Sequence, residues 1–137
     1  MKGVYVLVVS VVEPICLMVG ALGRVSFKRG LYAYVGSGQV GLEKRVARHL
    51  RRVKKCFWHI DYLLGSGVAG VVGVFWNEGD KGEECHVAEV LGERGVPVVG
   101  FGCSDCCCRS HLFRIGSCGF LGEFMHELCL KPVRSVC

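Results

Sequence analysis

Apolar residues run almost unbroken from Gly3 to Val12, and Glu13-Pro14 then interrupts them. This pattern predicts a strand covered on both faces, followed by a turn. Ile15 to Val19 and Arg24 to Phe27 predict two short strands around a turn at Gly20 to Gly23, and Leu31 to Gly36 a further strand bounded by Gly30. Together these segments read as a meander. Leu42, Val46, Leu50 and Val53 recur at helical spacing, so Leu42 to Lys55 is expected to be a helix with one apolar stripe. His59 to Leu64 predicts a short helix with Ile60, Leu63 and Leu64 inward, Val68 to Trp76 a buried strand, and Glu83 to Arg94 a third helix closed by Gly95 and Pro97. Val98 to Phe101 and Leu112 to Ile115 are expected edge strands, and a docked helix is expected over Leu121 to Leu130. The whole is an α/β (α+β) pattern, a small and mainly antiparallel sheet flanked by helices.

A chain of 137 residues suits one domain with its own core. Met1-Lys2 and the apolar run behind it resemble a signal peptide, but Glu13-Pro14 breaks that run. Tyr62 to Trp76 falls short of the roughly 20 residues a membrane span needs. A cytoplasmic protein with no membrane partner is therefore expected.

Charge changes the picture more. The net charge is only +5, yet seven of the 17 Lys and Arg lie between positions 44 and 55, with His49 among them and Glu43 as the segment's acid. Such clustering points to a polyanion, DNA or RNA. At about 100° per residue, Arg45, His49 and Arg52 share one flank of the apolar stripe, while Lys44, Arg48, Arg51 and Lys55 point further outward. Lys44, Arg48, Arg51, Arg52, Lys54 and Lys55 form a candidate nucleic-acid-binding set, suited to sequence-independent phosphate contacts. Arg45 and His49, one turn apart at the edge of the core, are placed to act on a single phosphate. The plain alternative is a solvated helix face.

Gly36-Ser-Gly38-Gln-Val-Gly41 matches GxGxxG, with Asp61 downstream. That strand is not the first, however, and the segments before it read as antiparallel. The helix is also more basic than a pyrophosphate requires, so the glycines read as a turn and no dinucleotide cofactor is expected. Glu84 shares an inward face with Val87, Ala88 and Leu91, whereas Glu89 and Glu93 face out. Glu84 either complements its helix dipole or holds a hard divalent cation jointly with phosphate oxygens. The ten cysteines admit buried thiols, disulfides or a metal site. Cys103, Cys106, Cys108 and His111, with Cys85 as substitute for Cys103, form a candidate zinc set that stands beside the thiol and disulfide readings. His59, Asp61, Asp105 and His111 are further candidate cleft residues, Asp61 alternatively orienting a histidine or capping the short helix.

Gly3-Val4-Tyr5, then Tyr34-Val35-Gly36, then Glu43-Lys-Arg45 and Arg48-His49 form an ordered set that resembles the GIY-YIG endonuclease superfamily. Trp58-His-Ile-Asp-Tyr-Leu-Leu64, Glu84-Cys85 and the segment from Gly100 to Phe113 further resemble a prokaryotic branch of it, sometimes fused to an endonuclease III. The resemblance covers residues 2 to about 114. It implies a nuclease domain at 1–114, and residues 115–137 are expected as an extension packed on the same domain. The spacer between the two motif strands departs from the superfamily pattern in being longer, consistent with the extra hairpin read at Ile15 to Phe27.

The activity implied is endonucleolytic cleavage of DNA with Mg²⁺ or Mn²⁺, in a repair setting. By position, Tyr5 and Tyr34 would face the scissile phosphate, with Tyr5 helping to deprotonate the attacking water. Arg45 would neutralise phosphoryl charge, His49 would assist proton transfer, and Glu84, or Glu89 in its place, would hold the metal. A tyrosine is a poor base near its usual pKa of about 10, so nearby cations are expected to lower it. A catalytically silent nucleic-acid-binding module is the competing expectation.

Overall fold

A computed structural model describes residues 2–51, 55–56, 58–102 and 108–128. Its centre is β1 (Gly3–Val11), with Val4 to Val9 buried throughout. β1 pairs antiparallel with β4 (Gly30–Gly38) on one side and with β5 (Ala69–Glu78) on the other. With β6 (Gly95–Pro97), β7 (Leu112–Ile115) and β8 (His126–Glu127) they form a six-stranded sheet in the order β6-β7-β4-β1-β5-β8. Every ladder among the described residues is antiparallel.

Because successive side chains of a strand alternate, β1 faces two cores. Tyr5, Leu7, Val9 and Val11 pack with Leu42 and Val46 of helix α1 (Leu42–His49) and with Ile60 and Leu63 of helix α2 (His59–Leu64). Val4, Val6 and Val8 pack with Val87, Ala88 and Leu91 of helix α3 (Gly82–Arg94). Cys118, Leu121 and Met125 join this second core, so the chain as far as Leu128 packs on the same sheet. No helix among the described residues is long and apolar enough to cross a membrane.

Several sequence expectations need correction. The meander is not continuous: β2 (Ile15–Val19) and β3 (Gly23–Phe27) form a hairpin of their own, and β1 pairs directly with β4. This is the extra hairpin expected between the motif strands.

Helix α1 ends at His49 instead of Lys55. Arg48 donates to the Lys55 carbonyl at 2.9 Å, whereas a continued helix would carry that residue about 10 Å along the axis. Continuation would also stack Arg51 against Lys55 at i and i+4, a like-charge repulsion. Val53, on the expected stripe, lies outside the described residues.

The edge strand on this side of the sheet is Gly95–Pro97 rather than Val98–Phe101, and Leu112–Ile115 is no edge strand, being paired with β6 on one side and β4 on the other. Residues 98–102 turn, with Phe101 N–H donating to Val98 O at 3.1 Å and Gly100 and Gly102 at φ of 82° and 73°, where glycine carries no Cβ penalty. The helix expected from Leu121 is a short 3-10 turn at Gly119–Glu123 followed by β8, because the edge of β5 captures the chain. Asn77 Nδ2 donates to Phe124 O at 2.9 Å and Leu128 N–H to Val74 O at 2.8 Å.

Candidate active site

The N-terminal half of β1 and the C-terminal half of β4 run side by side, with Tyr5 opposite Gly36 and Leu7 opposite Tyr34. The Tyr5 ring lies directly over Gly36, where any Cβ would run into the ring. This gives the Tyr-Val-Gly segment its physical reason: the glycine is the space the phenol occupies.

Tyr5, Tyr34, Arg45, His59 and Glu84 line one cavity of about 520 Å³, together with Ser37, Gln39, Trp58, Lys81 and Gly102. His49 is buried behind its wall, with Nε2 2.6 Å from the Tyr5 hydroxyl. Both phenols are buried and desolvated, which raises Tyr5 and raises Tyr34 well above the usual tyrosine value. Arg45 opposes this, by its charge at both rings and by a hydrogen bond at Tyr5, and loses. The negative charge of Glu84 pushes both phenols further up. The expectation of lowered tyrosine pKa values is therefore reversed: burial outweighs the cation, and the Tyr5 phenol stays protonated at neutral pH, in hydrogen-bond contact with His49 Nε2.

Arg45 is tightly placed. It donates to Ser37 O at 3.0 Å, and its guanidinium stacks 4.4 Å above the Trp58 ring. Arg48 lies 4.3 Å from the same ring. It does not join an outer row. Its guanidinium is forked onto Asp61, with Nη1 to Oδ1 and Nη2 to Oδ2 both at 3.0 Å, the Asp61 side chain being fully buried. Asp61 also accepts the Trp58 N–H at 2.9 Å, so of its candidate roles it takes the helix cap, and it ties α1 to α2 rather than lining the cavity.

Lys44, Arg51 and Lys55 are exposed, as the candidate nucleic-acid face requires. Arg52, Lys54, Cys103, Asp105 and Cys106 lie outside the described residues.

Glu84, in the first turn of α3, is 13% exposed and has Oε1 2.9 Å from His111 Nδ1. Glu89, its substitute, instead lines a separate cleft with Cys85, Cys108 and Phe113. His59 Nδ1 accepts the Gly102 N–H at 2.8 Å, which leaves Nε2 to carry the proton of the neutral ring.

Burial lowers the His59 pKa below its ordinary 6.5. The unfolded chain then binds more protons than the folded one as pH falls through 6.5, so this contribution is complete above that value and shrinks below it. Thermal unfolding at pH 7.5 and 5.5 should show a larger acid loss in wild type than in His59→Gln. Equal losses would place His59 outside the acid response.

Trp58, Gln39 and Lys81 also line the cavity, although nothing in the sequence points to a role for them. Trp58 stands within the Trp-His-Ile-Asp stretch already singled out, whereas an isolated lysine in a polar loop gives no signal. A larger cavity, about 710 Å³, opens at the far end of β1 and is lined by Arg29, Arg94 and Arg114, with neither a carboxylate nor a phenol among its described lining residues.

No curated protein and no solved structure matches the chain. A family model described as a domain of unknown function, DUF123, matches residues 4–131, and the chain accordingly belongs to the DUF123 family.

Proposed function

We propose that the protein is a divalent-metal-dependent endonuclease of GIY-YIG type that hydrolyses phosphodiester bonds in DNA. The observation that carries this reading is the convergence of two phenols, one guanidinium and one carboxylate on a single cavity, to which α1 contributes Arg45. Glu84 suits a metal there, being a hard oxygen donor whose charge reaches both phenols. It would hold Mg²⁺ or Mn²⁺ with phosphate oxygens and water, supplying Lewis-acid polarisation of the phosphoryl group.

The side chains divide the remaining work. Arg45, fixed by Ser37 O and Trp58, faces the phosphoryl oxygens whose negative charge grows in the transition state. Water attacks phosphorus, and its proton passes to the Tyr5 oxygen as the Tyr5 proton passes to His49 Nε2. The bond to the leaving sugar oxygen breaks, and that oxygen takes a proton from solvent. No free phenolate forms, which suits a tyrosine whose pKa burial has raised. Tyr34 stays protonated and donates to a phosphate oxygen or to the attacking water. Exposed Lys44, Arg51 and Lys55 grip the flanking backbone.

The test is nicking of supercoiled, branched and damaged DNA with Mg²⁺ or Mn²⁺. Wild type is expected to nick, and Arg45→Ala and Glu84→Ala to lose about 10²-fold or more while still binding DNA. Salt-sensitive binding with intact DNA on every substrate would overturn the enzyme reading in favour of a silent nucleic-acid-binding module.

A further inference from the structure

We propose that Cys85, Cys108 and His111 bind a zinc ion, at a site distinct from the Glu84 cavity and independent of the nuclease reading. Their ligand atoms all lie within 4.8 Å of one another, the spacing that donors around a single ion require. Two structural units bring them together. Cys85 stands in the first turn of α3, and Cys108 and His111, three residues apart, lead into β7.

The backbone at His111 is held on both sides. Its N–H donates to Phe101 O at 2.8 Å, and its carbonyl accepts the Val35 N–H at 2.9 Å. The ring is buried, with a carboxylate oxygen of Glu84 2.9 Å from Nδ1, the kind of contact that orients metal-bound imidazoles. Cys85 and Cys108 are half-buried and line the wall of a cleft of about 440 Å³, which gives an ion a way in.

Donor chemistry chooses the metal. Two thiolates and an imidazole are soft and borderline ligands that favour Zn²⁺ and discriminate against Mg²⁺, which prefers oxygen. Binding deprotonates both thiols, so two protons leave for each zinc taken up, and the fourth tetrahedral position goes to water or a further side chain. The ion would pin α3 to the segment before β7. Glu84 is the neighbour of Cys85, so the same pin would fix the carboxylate on the cavity wall.

The experiment uses the full chain, purified in reductant and stripped with a chelator, then given Zn²⁺ or Co²⁺ alone and desalted. One zinc per chain should be retained, and Co²⁺ should give thiolate-to-metal absorption with the intense visible bands of a tetrahedral centre. Cys85→Ser and Cys108→Ser should each lose stoichiometric zinc, whereas Cys16→Ser, remote on β2, should keep it. Arg45→Ala should lose nicking and keep zinc, which separates this site from the nuclease. Wild-type protein that retains no metal, a Co²⁺ spectrum without sulfur bands, or full zinc in both cysteine variants would overturn the proposal. The wild-type spectrum decides even if the variants fold poorly.

Discussion

Tyr5→Phe is expected to lower the rate of metal-dependent DNA nicking by about 10² to 10⁴, the range for removing a positioned proton-transfer group. The substitution keeps the ring over Gly36 and removes only the oxygen that touches His49 Nε2 at 2.6 Å. The fold should survive, with a loss of about 1–3 kcal/mol for one buried polar group left without its bond. On the proposed reading DNA is gripped by the exposed cations, so its affinity should hardly change. Tyr34→Phe is the comparison, because Tyr34 meets His49 only edge-on, at a ring distance of 6.1 Å. If both variants nicked at the wild-type rate while wild type required the metal, the Tyr5 to His49 relay would be wrong.

The largest effect on stability is expected from Asp61→Ala. The change removes a fully buried carboxylate that holds the Arg48 fork and the Trp58 N–H, leaving a guanidinium only 22% exposed without its counterion. Breaking a buried pair typically costs about 3–5 kcal/mol; the exposure of Arg48 argues for about 3. For a chain of this length that lowers Tm by on the order of 10 °C. Thermal unfolding of Asp61→Ala, Arg48→Met and the double variant Asp61→Leu/Arg48→Met measures it. The double variant should recover most of the loss, since the penalty lies in an orphaned charge and not in missing attraction. Equal destabilisation in all three would mean that packing around α2 governs instead.

Much of this molecule was legible in the sequence, and the parts that were not share a cause. The strand over Gly3 to Val11, the hairpin at 15–27, α2 and α3 follow from local apolar spacing and glycine punctuation. Glu84 was readable as inward because Val87, Ala88 and Leu91 define its helix face, and the structure puts it on the cavity wall with Arg45 and both tyrosines.

Failures came where a distant partner overrules a local pattern. Arg48 looks outward on a helical wheel, but Asp61, 13 residues later, turns it inward, and the Lys55 carbonyl helps to end the helix early. The C-terminal segment is drawn to the edge of β5 by Asn77 and Val74, which no window around residue 121 contains. The tyrosine pKa expectation failed similarly: the cation was readable, and the depth of burial that outweighs it was not.

β1 has a consequence for folding as well as for chemistry. Both of its faces are apolar and buried, so sliding it along β4 by one residue would exchange one set of valines and leucines for another at little hydrophobic cost. Burial alone is a poor ruler for such a strand. The graduations come from its polar and empty positions: a hydroxyl that finds His49 in one alignment, a ring that fits only opposite Gly36, and an irregularity at Val8/Val9 where β5 shifts step. Tyr5 and Gly36 therefore also serve as alignment marks for the sheet, and a chain that lost either would be freer to pair out of step.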